Sequence, residues 1–132
     1  MIYYICDKST GQITTTGVSS DVDSVPYDID TELLIKDIEA DGMVDYHDLV
    51  TGKVKKRPRS NAILDKAKVK ADKKDESTIK DIPKGSEVTM AGTGATVIND
   101  GSLKMTFDKP GKYNIEIRNF PYLDEVYEID VD

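Results

Sequence analysis

Asn99-Asp100-Gly101-Ser102-Leu103-Lys104-Met105-Thr106-Phe107-Asp108-Lys109-Pro110-Gly111-Lys112-Tyr113-Asn114-Ile115-Glu116-Ile117-Arg118 is the stretch on which the fold turns. Leu103, Met105 and Phe107 recur at every second position, as do Tyr113, Ile115 and Ile117, with mostly polar residues between. A period of two places one face of a strand in a core and the other in water. Asn-Asp-Gly predicts a hairpin turn into the first run, and Asp-Lys-Pro-Gly a turn into the second. Downstream, Tyr127, Ile129 and Val131 alternate with Glu128 and Asp130. Upstream, Lys66 to Ala71 alternates Lys with small apolar residues, and Ser77 to Ile82 runs into the turn Pro83-Lys84-Gly85. Glu87 to Ala91 and Ala95 to Ile98 flank Gly92-Thr93-Gly94, which predicts one more hairpin. Short strands at this spacing predict an immunoglobulin-like β-sandwich over residues 62–132.

Residues 1–58 follow the same grammar in a smaller unit. Ile2 to Cys6 and Ile13 to Thr16 flank the polar turn Asp7-Lys8-Ser9-Thr10-Gly11 and predict a β-hairpin. Met43 to Val54 predicts a second one, because aligning Asp7 with Asp48 sets Thr10 on Thr51, Gly11 on Gly52 and Ile13 on Val54. Between them, Glu32 to Ile38 predicts a further strand, stopped by Asp41-Gly42. Pro26 and the crowded carboxylates from Asp21 to Glu32 predict a loop. The fold expected is all-β: an N-terminal hairpin unit (1–58), a putting-together of short strands around two turns, then the sandwich (62–132).

Composition narrows the function. The 132 residues carry a net charge of −7, against the excess of Lys and Arg that nucleic-acid binding needs. Cys6 is the only cysteine and His47 the only histidine, which leaves no disulfide, no multi-His metal site and no His-based triad. No segment approaches the ~18 apolar residues of a membrane span, and the start lacks the basic leader of a signal peptide. A cytoplasmic site of synthesis is expected.

Each remaining candidate carries a plain reading beside a functional one. Asp21, Asp23, Asp28, Asp30 and Glu32 offer oxygen ligands, but Val25 falls where an EF-hand loop needs a ligand and the required Gly is missing, so a solvated acidic loop is expected. Ala91 to Thr96 lacks the third Gly and following helix of a dinucleotide fingerprint. No metal or other cofactor is expected. The basic run Lys53, Lys55, Lys56, Arg57 and Arg59 fits either a charge-complementary contact between copies or a guard against unwanted strand pairing. Phe120, Tyr122 and Leu123 surround Pro121 in a bend between the last two strands, where Phe120 or Leu123 is expected to plug the end of the sandwich. An exposed docking patch is the other reading of these residues.

The stretch Asp45 to Pro58 resembles a pattern in small proteins encoded by tailed bacteriophages. That pattern runs roughly His/Tyr-Tyr-x-Asp-x-x-Thr-Gly-x-Val-x-x-Arg-Pro. Further landmarks in the same order are Asp75-Glu76-Ser77-Thr78-Ile79, Ile82-Pro83-Lys84-Gly85, Asp100-Gly101-Ser102-Leu103, Phe107-Asp108-Lys109-Pro110-Gly111 and Phe120-Pro121-Tyr122-Leu123. The chain departs from the pattern after Ala71-Asp72, where Lys73-Lys74 stands in place of a frequent Gly. The resemblance implies a non-enzymatic virion structural protein of the tail or tail-fibre region, localised to the virion. It would dock on other virion proteins in several symmetric copies. Capsid decoration is an alternative, as is a module for host-surface carbohydrate stacked on Tyr3, Tyr4, Tyr46, Tyr113, Tyr122 or Tyr127.

Overall fold

A computed structural model describes residues 1–90 and 94–132. The chain is all-β and divides into two compact units, Met1–Pro58 and Arg59–Asp132. The expected turn at Gly92-Thr93-Gly94 lies, apart from Gly94, outside the described residues.

The first unit is built on β1 (Ile2–Asp7), which is central in a three-stranded antiparallel sheet between β2 (Ile13–Val18) and β3 (Glu32–Lys36). Tyr4, Ile5 and Cys6 of β1 are buried on both faces of the sheet, and this is why they read as an unbroken apolar run. Tyr4 and Cys6 point to one side, where Ile13, Leu33, Ile35 and Val54 complete a small core. Ile5 faces the other side and is also buried. In the acidic loop a short 3-10 turn, Val22–Ser24, buries Val22 while Asp23 forms an ion pair with Lys36 of β3. β3 ends sooner than Ile38 because Asp37 enters the left-handed region (φ 63°) and donates its N–H to the Ile2 carbonyl. A second hairpin, β4 (Asp45–Asp48) with β5 (Lys53–Lys56), completes the unit.

The second unit places two sheets around one core. A five-stranded sheet has the order β10 (Thr96–Ile98), β9 (Ser86–Met90), β12 (Gly111–Arg118), β13 (Glu125–Val131), β7 (Lys68–Val69). A three-stranded sheet has the order β11 (Leu103–Met105), β8 (Ser77–Lys80), β6 (Ile63–Leu64). Ile115 and Ile129 from the first meet Ile79 and Met105 from the second, and Phe107 adds to the same cluster. Ile79, Ile115 and Ile129 are fully buried, and each contributes about 2 kcal/mol relative to an exposed side chain.

Two features differ from the sequence expectation. Asn99-Asp100-Gly101 does not close a hairpin: β10 pairs with β9 and β11 with β8, so the turn carries the chain from one sheet to the other. Its neighbours' backbone groups bond to the Ile82–Gly85 segment instead of to each other, through Ile82 N–H to Gly101 O (3.0 Å) and Gly85 N–H to Ile98 O (2.9 Å). The Lys-rich strand is shorter than Lys66 to Ala71. Asp75 accepts the Lys70 N–H (2.9 Å) and the Ser77 hydroxyl donates to the Lys66 carbonyl (2.6 Å), while Ala67 and Ala71 each keep one backbone bond, to Asp130 and Asp132, beyond the two paired residues. Val69 is the one buried side chain left in the strand, and β7 lies parallel to β13.

Candidate interaction surface

The two Asp-x-x-Thr-Gly segments fold alike. In the first turn, the Asp7 carboxylate accepts from the N–H groups of Ser9 (2.7 Å) and Thr10 (3.2 Å). The Gly11 N–H returns to the Asp7 carbonyl (2.8 Å), and Gly11 sits at φ 81°. In the second, Asp48 accepts from Val50 N–H (2.9 Å), the Gly52 N–H returns to the Asp48 carbonyl (2.7 Å), and Gly52 sits at φ 72°. Thr10 and Thr51 each accept the N–H two residues on. Asp supplies the local acceptor, and Gly takes a backbone conformation other residues resist. Ser9 lowers the Asp7 carboxyl through its hydroxyl and its backbone N–H. Lys55, followed by Val50 N–H, holds Asp48 down at about 2.

What separates the turns is packing. Gly52 has open space around it, whereas a Cβ on Gly11 would meet the His47 carbonyl oxygen at 1.9 Å. His47 also donates its N–H to the Gly11 carbonyl (2.9 Å), so the first turn is seated on β4. The same residue fastens the hairpin to the sheet, with its Nδ1 2.6 Å from the Tyr4 hydroxyl in a buried hydrogen bond. Burial, then the nearby Cys6, pushes the Tyr4 phenol up to about 12. Burial, and after it Asp7, raises the Cys6 thiol, which packs as a small hydrophobe. His47 and Cys6 are therefore interior residues.

The basic run is largely bound within the protein. Lys56 stands directly across from Asp45 in the ladder and lies 2.9 Å from its Oδ1. By distance this is an ion pair, but it lacks the alignment of a hydrogen bond. Burial pulls the Asp45 carboxyl up; Lys56 and the Asp41 N–H outweigh it, and the group ends below the usual carboxylate range. Lys55 reaches diagonally to Asp48 (2.6 Å). Arg57 is buried, and its guanidinium donates to the carbonyls of Met43 (3.2 Å) and Gly42 (3.5 Å). Lys53 points outward. In the second unit, Arg59 pairs with Glu125 (3.2 Å). The structure thus sets Lys53, Lys55, Lys56 and Arg57 on one unit and Arg59 on the other.

Phe120, Tyr122 and Leu123 are half-buried, and neither Phe120 nor Leu123 is sealed into the core as a plug. The peptide bond between Phe120 and Pro121 is cis. The rings considered for sugar stacking, Tyr3, Tyr4, Tyr46, Tyr113, Tyr122 and Tyr127, are each buried or half-buried. Tyr113 packs on Phe107 with ring centroids 4.5 Å apart, and the Tyr127 hydroxyl donates to the Ala62 carbonyl (3.0 Å). Among the described residues, no three His, Cys, Asp or Glu side chains gather as a metal site, the acidic loop included. No helix of the described residues is long and apolar enough to cross a membrane.

Sequence reasoning did not identify the exposed apolar residues of the first unit. Val50 is 95% exposed, Met43 79%, Val18 77% and Ile29 70%. Their signal was present as hydrophobes placed in turns and at strand ends, where no core periodicity explains them. No family model matches the chain, and neither a curated protein nor a solved structure matches it significantly.

Proposed function

We propose that the chain is a non-enzymatic structural protein of a tailed-bacteriophage virion, a component of the tail or tail-fibre region that docks on other virion proteins. The observation carrying this reading is the uneven placement of exposed apolar side chains. Of the thirteen large hydrophobes exposed among the described residues, ten lie in Met1–Pro58 and three in Arg59–Asp132. A small unit that leaves so much apolar surface in water is a unit that binds. The order of phage-like motifs along the sequence supports the setting. The strand order of the second unit, with β7 parallel to β13 at one edge, supports an immunoglobulin-like sandwich in the same chain.

Quantitative mass spectrometry of purified virions tests the proposal. A chain present at many-fold fewer copies than the major capsid subunit is the expected result. Equimolar abundance would replace the tail reading with capsid decoration. Absence from the particle would overturn the virion reading altogether.

A further inference from the structure

We infer that β2 is an open pairing edge and that it takes β2 of a second copy of this chain, antiparallel, across a two-fold axis. This deepens the proposed multi-copy structural role by naming the contact. Met1 and Ser19 exchange both backbone hydrogen bonds (2.9 Å each). Bonded and non-bonded pairs alternate along an antiparallel ladder, so Tyr3↔Gly17 and Ile5↔Thr15 are bonded pairs as well. Thr16 and Val18, opposite Tyr4 and Ile2, therefore turn their N–H and C=O groups away from β1. Among the described residues no backbone partner meets those outward groups. Gly42 abuts the Ile13 carbonyl, and from there residues 39–43 border residues 14–18 across open cavities without a backbone hydrogen bond to them. Thr14, Thr15, Thr16 and Val18 are exposed.

Charge tells this edge from the others. Natural edge strands are usually guarded by charged side chains, Pro or bulges that resist pairing. Here β3, β4, β5, β7 and β11 each carry Lys, Asp or Glu. Of the edge strands longer than two residues, only β2 and β10 have none, and β2 is twice as long, six residues against three. The uncharged run around β2 spans 12 residues, Ser9 to Ser20, in a chain that is 33% charged.

The second copy is the occupant because the edge is self-complementary. Setting Thr16 opposite Val18 of the second copy, and the reverse, satisfies the outward groups of both chains and brings no charge against another. β4 or β5 paired with itself would set like charges close together, and β3 would have to set Glu32 against Lys36, so β2 is the edge of this unit that pairs with itself without engaging any charge. At the centre of this register lies Gly17, which has no side chain of its own and is overlain by the Tyr3 ring of the neighbouring strand. The acidic remainder of the unit, eleven Asp and Glu against six Lys and Arg for a net −5, repels at longer range. Salt screens that repulsion and leaves the neutral ladder intact, so association strengthens as ionic strength rises.

Sedimentation equilibrium of the purified full chain tests the inference independently of virion composition. A monomer–dimer equilibrium is expected, weakened by about tenfold or more in Thr16→Lys, which sets each lysine opposite Val18 of the other copy and brings the two lysines diagonally close on one face of the shared ladder. Thr16→Val should leave it unchanged. A chain that stays monomeric up to about 1 mM overturns the inference. So does a dimer indifferent to Thr16→Lys or lost in Val97→Lys on β10. If Thr16→Lys fails to fold, amide exchange in the native chain decides. Thr16 and Val18 N–H groups must gain protection with concentration, and fast exchange at all concentrations refutes the contact.

Discussion

Gly11 and Gly52 offer a matched pair of perturbations, because they close turns of the same hydrogen-bonding pattern at φ 81° and φ 72°. Substituting Ala forces a Cβ into the left-handed region at either site, at a cost of about 1–2 kcal/mol. At Gly52 nothing lies within 4 Å of that Cβ, so the backbone cost is the whole effect. At Gly11 the Cβ meets a backbone oxygen at 1.9 Å, and β4 must retreat by roughly an ångström, with about 1–3 kcal/mol of overpacking strain. Retreat also stretches the His47–Gly11 bond (2.9 Å) and the buried Tyr4–His47 bond (2.6 Å), and a buried group left without its partner costs about 1–3 kcal/mol. Gly11→Ala should therefore cost about 3 kcal/mol or more beyond Gly52→Ala, a large share of the stability of any small domain. Urea unfolding followed by the ring C–H resonance of His47, the only histidine in the chain, reports this unit without interference from the other. Equal midpoints for the two variants would show that the first turn is not seated on β4.

Two further outcomes follow from the same geometry. Asp48 has its pKa held at about 2 by Lys55 and the Val50 N–H, below its unfolded value, so its contribution to stability is full above the usual carboxylate range and is lost as pH falls through about 2. Asp48→Asn should then be less stable than the native chain at neutral pH in chemical denaturation, and the gap should close at the acid end; a gap constant with pH refutes the assignment. Lys73 sits at φ 61° in the turn where the phage-like pattern often has Gly, with Asp72 accepting the N–H groups of Lys74 (2.9 Å) and Asp75 (2.8 Å). Lys73→Gly relieves the left-handed strain and should raise the thermal midpoint of the second unit, worth up to about 1 kcal/mol after the entropy lost by a freer unfolded chain; a lower midpoint would refute it.

Strands were legible where alternation met a core, as in β12 and β13, whose Ile115, Ile117, Ile129 and Val131 are all buried. Turns were legible where Asp and Gly state their own geometry, as in both Asp-x-x-Thr-Gly segments. Sheet membership was not, since Asn99-Asp100-Gly101 fits a hairpin locally and only the partners of β10 and β11 reveal that it joins two sheets. The Tyr4–His47 bond spans 43 residues, and neither side chain carries a local mark of the other. Lys73 escaped because its positive φ is imposed by the Asp72 turn and not by its own preference. Arg57 looked like part of a surface run, yet the carbonyls it caps lie 14 and 15 residues earlier.

The fate of that run decides what the first unit presents to a partner. Surface ion pairs of the Lys55–Asp48 and Lys56–Asp45 kind add little to stability, but they cancel charge where it stands. With Arg57 buried as well, the run gives up most of its pull on acidic surfaces. The outward field is then set by residues 21–41, where eight Asp and Glu face a single Lys, and Lys36 is itself engaged by Asp23. An acidic field of this size steers approach and discourages random contact, but it does not hold a complex together. In the proposed docking role, holding falls to what is neutral: the exposed apolar residues Val18, Ile29, Met43 and Val50, and the uncharged edge of β2. Substitution of Lys53 should for that reason alter the rate and salt dependence of docking far more than its strength, while substitution along β2 should alter the strength.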